Sequence, residues 1–249
     1  ILNDKFGNAG HKVVIEEFLK GIELSAFIVS DGKNYKMLPQ AKDYKRIGEK
    51  DTGLNTGGMG AVSPVPFANA DFIAKIENKI VKPVLEGLQK EGIEYRGFLF
   101  IGLMNVANEP YVIEFNVRLG DPEAEVIIPR IENDFIDLFL SVAEQKLDQF
   151  ELQVSQNFAT TVILVSKGYP EFFEKNKEII GLDTVKDSTV FHAGTKETNG
   201  KIYSNGGRVL AITSIDKTLK NALQKSYNSI KQIEYQNKYF RSDIGQDLL

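Results

Sequence analysis

The sequence predicts an α+β fold: a larger core of strands and helices, then a small α+β module. Three observations predict it. Short β-branched and aromatic runs are punctuated by Asp-Gly and Asn-Gly turn signals. Stretches with apolar residues at helical spacing lie between those runs. The composition is that of an ordinary globular protein, 42% hydrophobic and 26% charged over 249 residues, enough for one large domain or two smaller ones.

The elements follow in order. "KVVIEEFL" (residues 12–19) is a β-branched run that ends at Gly21. "IELSAFIVSDGKNYKMLP" (residues 22–39) alternates and breaks at Asp31-Gly32, which predicts a hairpin. "KDYKRIGEKDTGLNTGGMGAVSP" comes next, too rich in glycine and charge to be expected as helix or strand. A structureless run of about 25 residues inside a compact domain is usually functional. Between Phe72 and Glu91, Ile73, Ile76, Ile80, Val84 and Leu88 mark one helix face, with Pro83 set to bend it or end it. "GFLFIGLMNVANEPYVIEFNVRLGDPEAE" reads as strand, turn, strand and polar loop. Helical material follows, with Asn133-Asp134 capping a helix from Phe135.

Residues 148–158 are polar and aperiodic, which places a domain boundary there, with units at 1–150 and 151–249. Beyond it, "ATTVILVSKGYP" is a strand, and further strands are spaced by Asn199-Gly200 and Asn205-Gly206. A helix from Asp216 to about Ile230 puts Leu219, Leu223, Tyr227 and Ile230 on one face.

The bulk numbers exclude several classes. A net charge of −4 provides no basic field for nucleic acid. No apolar run approaches the roughly 18–20 residues of a membrane span. With no cysteine, disulfides and thiolate metal sites are impossible, which fits a reducing cytosol. His11 and His192 are too few for a His-rich metal site. The abrupt, apolar start without Met leads us to expect a piece of a longer protein.

Four stretches can carry chemistry. In "VIEFNVRLGDPEAE", Glu114 and Asn116 are two apart on a strand and share a face, a pair of hard oxygen donors suited to Mg²⁺. Arg118 continues that face and can clamp an anion. A solvated strand end has the same pattern. In "IEEFLKGIE", an extended backbone can meet a purine edge and a carboxylate can meet ribose hydroxyls; charged residues at a strand end look alike. In the Gly-rich run, Gly53, Gly57, Gly58 and Gly60 free the backbone, while Lys45 and Arg46 bring positive charge. Asp43, Glu49 and Asp51 can orient an amine or a cation. A nest of N–H groups beside basic side chains is an expected anion site, although no Gly-Lys-Ser/Thr of a P-loop follows. In the tail, His192 reads as a structural strand histidine, and Arg208 either reaches the main site or is a surface charge.

Taken in order, "VVIEEFLKGIELS", "KDYKRIGEKDTGLNTGGMGAVSP", "GFLFIGLM", "VIEFNVRLGDPEAE", "FHAGT" and "NGGRVL" closely resemble the phosphoribosylamine–glycine ligase (glycinamide ribonucleotide synthetase) family. These are ATP-grasp enzymes of de novo purine synthesis, and the resemblance covers essentially the whole chain. It implies an ATP-grasp core with a mixed or antiparallel sheet, and a cytoplasmic ligase. That ligase uses ATP and Mg²⁺ or Mn²⁺ to join glycine to 5-phosphoribosylamine through a glycyl phosphate, with no nucleic acid or membrane partner. By the family pattern, Glu114 and Asn116 bind the metal. Glu16, Glu17, Phe18 and Leu19 form the adenine hinge, and Glu23 meets the ribose. Lys45, Arg46, Asp51 and Arg118 are catalytic, while Asn55, Thr56, Gly57, Gly58 and Asp121 bind substrate. Leu54 stands where the family has proline, and Tyr44 where it often has histidine. The family's N-terminal domain and ATP-grasp lid would precede this chain, so the chain alone is expected to have little ligase activity. Another ATP-grasp carboxylate–amine ligase, or a non-catalytic nucleotide-binding module, is the alternative.

Overall fold

The computed structural model describes residues 12–249; His11 and the start of the chain lie outside them. The first half builds strands β1 (Ile22–Asp31), β2 (Tyr35–Met37), β3 (Lys42–Asp43), β4 (Arg46–Gly48), β5 (Thr52–Asn55) and β6 (Gly60–Ser63). Helices α1 (Ala70–Ile76) and α2 (Lys82–Lys90) follow, then β7 (Arg96–Val106) and β8 (Glu109–Asn116). The short α3 (Ala124–Ile127) and α4 (Phe135–Ala143) lead to β9 (Phe158–Val165), β10 (Glu178–Ile179), β11 (Thr189–His192), β12 (Thr195–Thr198), β13 (Lys201–Ser204), β14 (Arg208–Asp216) and α5 (Leu219–Ile230). Among the described residues, no helix is long and apolar enough to cross a membrane.

The first sheet has the order β2-β1-β7-β8 and is antiparallel throughout. Asp31 makes the β1–β2 turn: its Oδ1 accepts the amides of Lys33 and Asn34. The alternation along β1 does not separate a wet face from a dry one. Leu24, Ala26 and Ile28 pack with Leu99, Ile101 and Leu103 against Phe72, Ile76 and Ile80 of the helix pair. Phe27 and Val29 face the other way, into a core with Phe100, Val126, Ile127 and Leu138. Both faces are covered, so β1 reads as an almost unbroken apolar run.

The helix expected over residues 72–91 forms with an interruption. A π turn at Glu77–Val81 separates α1 from α2, immediately before Pro83. Proline lacks an N–H and crowds the carbonyl four residues back, so the helix takes up an extra residue there. Asn69 caps α1 by accepting the Phe72 amide, and Asp134 caps α4 through Ile136. The final helix begins at Leu219 rather than Asp216, with Thr218 as its cap; Asp216 ends β14 instead. Leu219, Leu223 and Ile230 are buried as the periodicity required.

The second sheet has the order β11-β14-β9-β6-β3. It corrects the expectation that residues 42–64 form neither helix nor strand. β3 pairs with β6, β6 pairs with β9 nearly a hundred residues later, and β4 and β5 make a hairpin. The sheet therefore runs across the polar segment at 148–158. Asn199-Gly200 joins the paired strands β12 and β13, but Asn205-Gly206 carries the chain from one sheet to another.

Phe27 is fully buried and meets Phe100 edge-on at 5.4 Å between ring centroids. Phe27→Ala is expected to lower the unfolding free energy by roughly 3–5 kcal/mol in a urea titration. A loss below about 1 kcal/mol would mean that the core facing α3 and α4 is not packed as described.

Candidate active site

Three cavities join into one cleft between the β7–β8 end of the first sheet and the β3–β5 region. The first, of about 370 Å³, is lined by Glu16, Glu17, Phe18, Leu19, Glu23 and the β8 residues Tyr111–Ile113. The second, of about 360 Å³, shares Glu23 and adds Asp43, Lys45, Arg46, Asp51 and Asn55. The third, of about 390 Å³, shares Asp43 and Lys45 and adds Thr56, Gly57, Glu114, Arg118, Asp121, Glu123 and Arg208. Of the residues to which the family pattern gives a role, only Gly58 and Asn116 are missing from these walls.

A bulge aims Glu114 into the third cavity. Gly102 faces Glu114 while Leu103 faces Val112, which leaves Ile113 as an extra residue on β8. Asn116, opposite Phe100, keeps the same face as Glu114 at the strand's end. Arg118 lies over the Phe100 ring at 5.9 Å and donates to the Leu119 carbonyl at 3.0 Å. No cluster of three or more His, Cys, Asp or Glu able to hold a metal occurs among the described residues. An exposed carboxylate followed by an amide oxygen fits a hard divalent ion that completes its shell with phosphate and water oxygens.

Lys45 is the electrostatic centre of the cleft. Its Nζ is 2.7 Å from Glu23 Oε2. Burial works against its charge, but Glu23, Asp43 and Glu114 outweigh burial and raise its pKa, so Lys45 stays charged at neutral pH. Behind it lie Asp43 and two acids that the sequence reading passed over, Glu123 and Glu125. Burial, reinforced by Glu123, pushes the Asp43 carboxyl well up, and its Oδ1 is buried with no hydrogen-bond partner. Burial also raises Glu123, whose Oε1 accepts the Ser25 hydroxyl at 2.7 Å. Glu123 and Glu125 sit in the same "GDPEAE" run as Asp121, and nothing in the local sequence marks their burial.

The expected nest of free N–H groups does not form. The amides of Thr56, Gly57, Gly58 and Met59 donate to the Lys45 carbonyl, Tyr169 Oη, Thr56 Oγ1 and the Tyr44 carbonyl. Gly58 is buried behind the wall with φ +110°, and a Cβ there would lie 2.3 Å from Pro122 and 2.9 Å from Asp43 Oδ1. The loop is a rigid wall, with its amides already engaged by the protein. Arg46 donates to the Gly53 carbonyl and closes the β4–β5 hairpin, and Asp51 accepts from the buried Arg241 at 2.7 Å. Both therefore hold the loop as well as lining the cavity.

Tyr44 turns away from the cleft, its hydroxyl donating to Asp247. His192 is exposed, and its ring bonds the Thr195 hydroxyl three residues on, across the turn between β11 and β12. Arg208 does reach the site: its guanidinium pairs with both Asp121 oxygens, at 2.9 and 3.0 Å, and donates to the Gly57 carbonyl at 2.6 Å.

Burial first, then the Asp121 charge, pushes Glu125 up to about 6 from 4.5, with Arg208 opposing. The folded state thus favours the protonated acid, and stability is lost as pH rises from about 4.5 through 6. Glu125→Gln is expected to stabilise the protein by about 1 kcal/mol at pH 7.5, discounted for partial exposure, and to change nothing at pH 4. Urea titrations at the two pH values read this directly; equal effects at both would assign the change to packing.

Two family models match in order: the phosphoribosylglycinamide synthetase ATP-grasp (A) domain over residues 1–124 and the C domain of phosphoribosylglycinamide synthetase over 159–247. The phosphoribosylamine–glycine ligase of Chlorobaculum tepidum is 42% identical over 98% of this chain, which spans 58% of that protein. The trifunctional purine biosynthetic protein adenosine-3 of Gallus gallus is 42% identical over 98% of this chain, which spans 25% of it. The crystal structure of phosphoribosylamine–glycine ligase from Thermotoga maritima superposes with a TM-score of 0.84 at 40% identity, covering 92% of this chain and 56% of that one. The Kluyveromyces lactis urea carboxylase, at 13% identity and a TM-score of 0.61, shares the fold alone. With both domains represented and the fold matched, the chain belongs to the phosphoribosylglycinamide synthetase family, of which it carries ATP-grasp and C-terminal parts.

Proposed function

We propose that the complete protein containing this chain joins glycine to 5-phosphoribosylamine, with cleavage of ATP to ADP and phosphate. The observation that supports this reading most is the continuous cleft. It runs from the exposed backbone of Glu16–Leu19, past Glu23 and Lys45, to Glu114, Arg118 and Asp121. That order suits a nucleotide lying along the cleft, its base at the first cavity and its phosphates at the third. In the reaction, a glycine carboxylate oxygen bonds to the γ-phosphorus as the bond to ADP breaks. The amine nitrogen of phosphoribosylamine then attacks the acyl carbon, phosphate leaves, and the nitrogen loses a proton.

This chemistry needs positioning and charge neutralisation more than a protein nucleophile. Lys45, kept charged by the acids around it, and Arg118, held over Phe100, supply fixed positive charge beside the transferring group. Glu114 and Asn116 would hold Mg²⁺ or Mn²⁺, which when bound supplies further neutralisation of the phosphates. Glu16, Glu17, Phe18 and Leu19 would border the adenine, and Glu23 the ribose. Asn55, Thr56, Gly57 and Asp121 would wall the end where glycine and the amine meet; Gly58 supports that wall from behind, and Arg46 and Asp51 hold its hairpin.

ADP release by the complete gene product is the test, with Mg²⁺, glycine and phosphoribosylamine generated in place. Release that requires both substrates is the expected outcome. ATP turnover that ignores them would favour another carboxylate–amine pair, and nucleotide binding without turnover a non-catalytic module. Glu114→Gln is expected to lower kcat by at least about 100-fold, as loss of a metal-orienting group does, while the thermal unfolding midpoint stays in place.

A further inference from the structure

The wall at Thr56–Gly58 has no regular structure of its own, yet Gly57 is fixed at both of its polar atoms by residues more than a hundred positions away. Its N–H donates to Tyr169 Oη at 2.8 Å, and its carbonyl accepts from Arg208 Nη1 at 2.6 Å. Arg208 also grips Asp121 in bidentate fashion, so one guanidinium ties together two segments that line the third cavity. We infer that Tyr169 and Arg208 are positioning residues for the reacting end of the cleft, acting through the Gly57 backbone and Asp121. This inference rests on the function proposed above.

The two side chains come from one rigid unit. β9 and β14 pair from Phe158–Asp216 to Val165–Arg208, and a bulge there leaves Val209 as an extra residue next to Arg208. Bulges re-aim the side chains beside them, and this one coincides with Arg208 turning to the cleft. Tyr169 follows β9 directly. The turn that carries it is tied to β14's approach by Ser166, whose amide donates to Gly207 and whose hydroxyl donates to Gly206. Gly207 yields space for the phenol ring: a Cβ there would lie 2.3 Å from Tyr169 Cδ2. The ring therefore has a fixed seat, and its hydroxyl reaches the Gly57 amide from outside the cavity. Tyr169 does not line the third cavity, which separates it from residues that touch substrate.

The test uses the complete gene product, with Tyr169→Phe, Arg208→Gln and the double variant. Phenylalanine keeps the ring and its packing and removes only the hydroxyl. Tyr169→Phe is expected to lower kcat/KM for glycine or phosphoribosylamine by about tenfold, the effect of one hydrogen bond. KM for ATP should stay within about twofold, and hydrogen exchange at the Gly57 amide should quicken by about tenfold. Arg208→Gln is expected to cost more, about 100-fold. The double variant should lose less than the product of the two single effects, because both act on one residue. Unchanged exchange at Gly57, unchanged kcat/KM, an equal loss towards ATP, or fully multiplicative losses would each overturn the inference. If the unaltered enzyme does not join glycine to phosphoribosylamine, the proposed function falls by itself, and the exchange rate at Gly57 then decides the inference alone.

Discussion

The cleft depends on a seam at Ser25. Its amide and carbonyl exchange hydrogen bonds with Ala41, at 2.8 and 3.0 Å, and its hydroxyl holds Glu123. Ser25 is buried within the long β1–β7 ladder. Ala41 leads straight into β3, and so to Asp43 and Lys45 of the second sheet. One serine therefore sets the distance between the sheet that carries Glu114 and the loop that carries Lys45. Buried backbone groups must find partners, so the two sheets cannot separate without leaving Ser25 and Ala41 unpaired.

That seam also explains the charge arrangement. Bringing β3 against the first sheet buries Asp43 near Glu123, two acids whose ionised forms oppose each other. Lys45 lies between Asp43, Glu23 and Glu114, and its charge is supported by all three. A cation whose own burial disfavours it is thus retained by its neighbours. For Asp43 and Glu123 burial outweighs the Lys45 charge, and for Glu123 also the Ser25 hydroxyl, so their carboxyls rise while the lysine stays charged.

The parts of this design that were legible in the sequence are local. The Asp31-Gly32 hairpin, the helix faces and the shared face of Glu114 and Asn116 follow from spacing alone, and the structure reproduces them. The family resemblance extended that reading to residues such as Glu16–Leu19, which line a single cavity. What could not be read is long-range. The strands within residues 42–64 exist because β9 supplies an edge for β6, and no local pattern announces a partner a hundred residues away. The loop glycines suggested open N–H groups, but the fold turns the run back on Tyr44 and Lys45, and Tyr169, far along the chain, takes the Gly57 amide. Arg208 was ambiguous for the same reason: a bulge, invisible in composition, decides where its side chain points.

The closing segment shows how far this dependence reaches. Arg241, with a side chain 1% exposed, bonds Asp243, Asp51 and the Arg46 carbonyl. Asp243 in turn accepts the Lys50 amide, Tyr239 Oη donates to the Ile47 carbonyl, and Asp247 accepts from Lys42 and Tyr44. The β4–β5 hairpin is thus pinned along its length by residues nearly two hundred positions later. A buried guanidinium is costly unless its hydrogen bonds are met, and here Asp243 and the hairpin meet them together. The hairpin alone would be a marginal two-stranded ribbon. Held by the tail on one side, and by Arg208 and Tyr169 at Gly57 on the other, it keeps Lys45 at a fixed place in the cleft. The C-terminal part is therefore a structural component of the cleft, and the wall at Thr56–Gly58 takes its rigidity from residues more than a hundred positions along the chain.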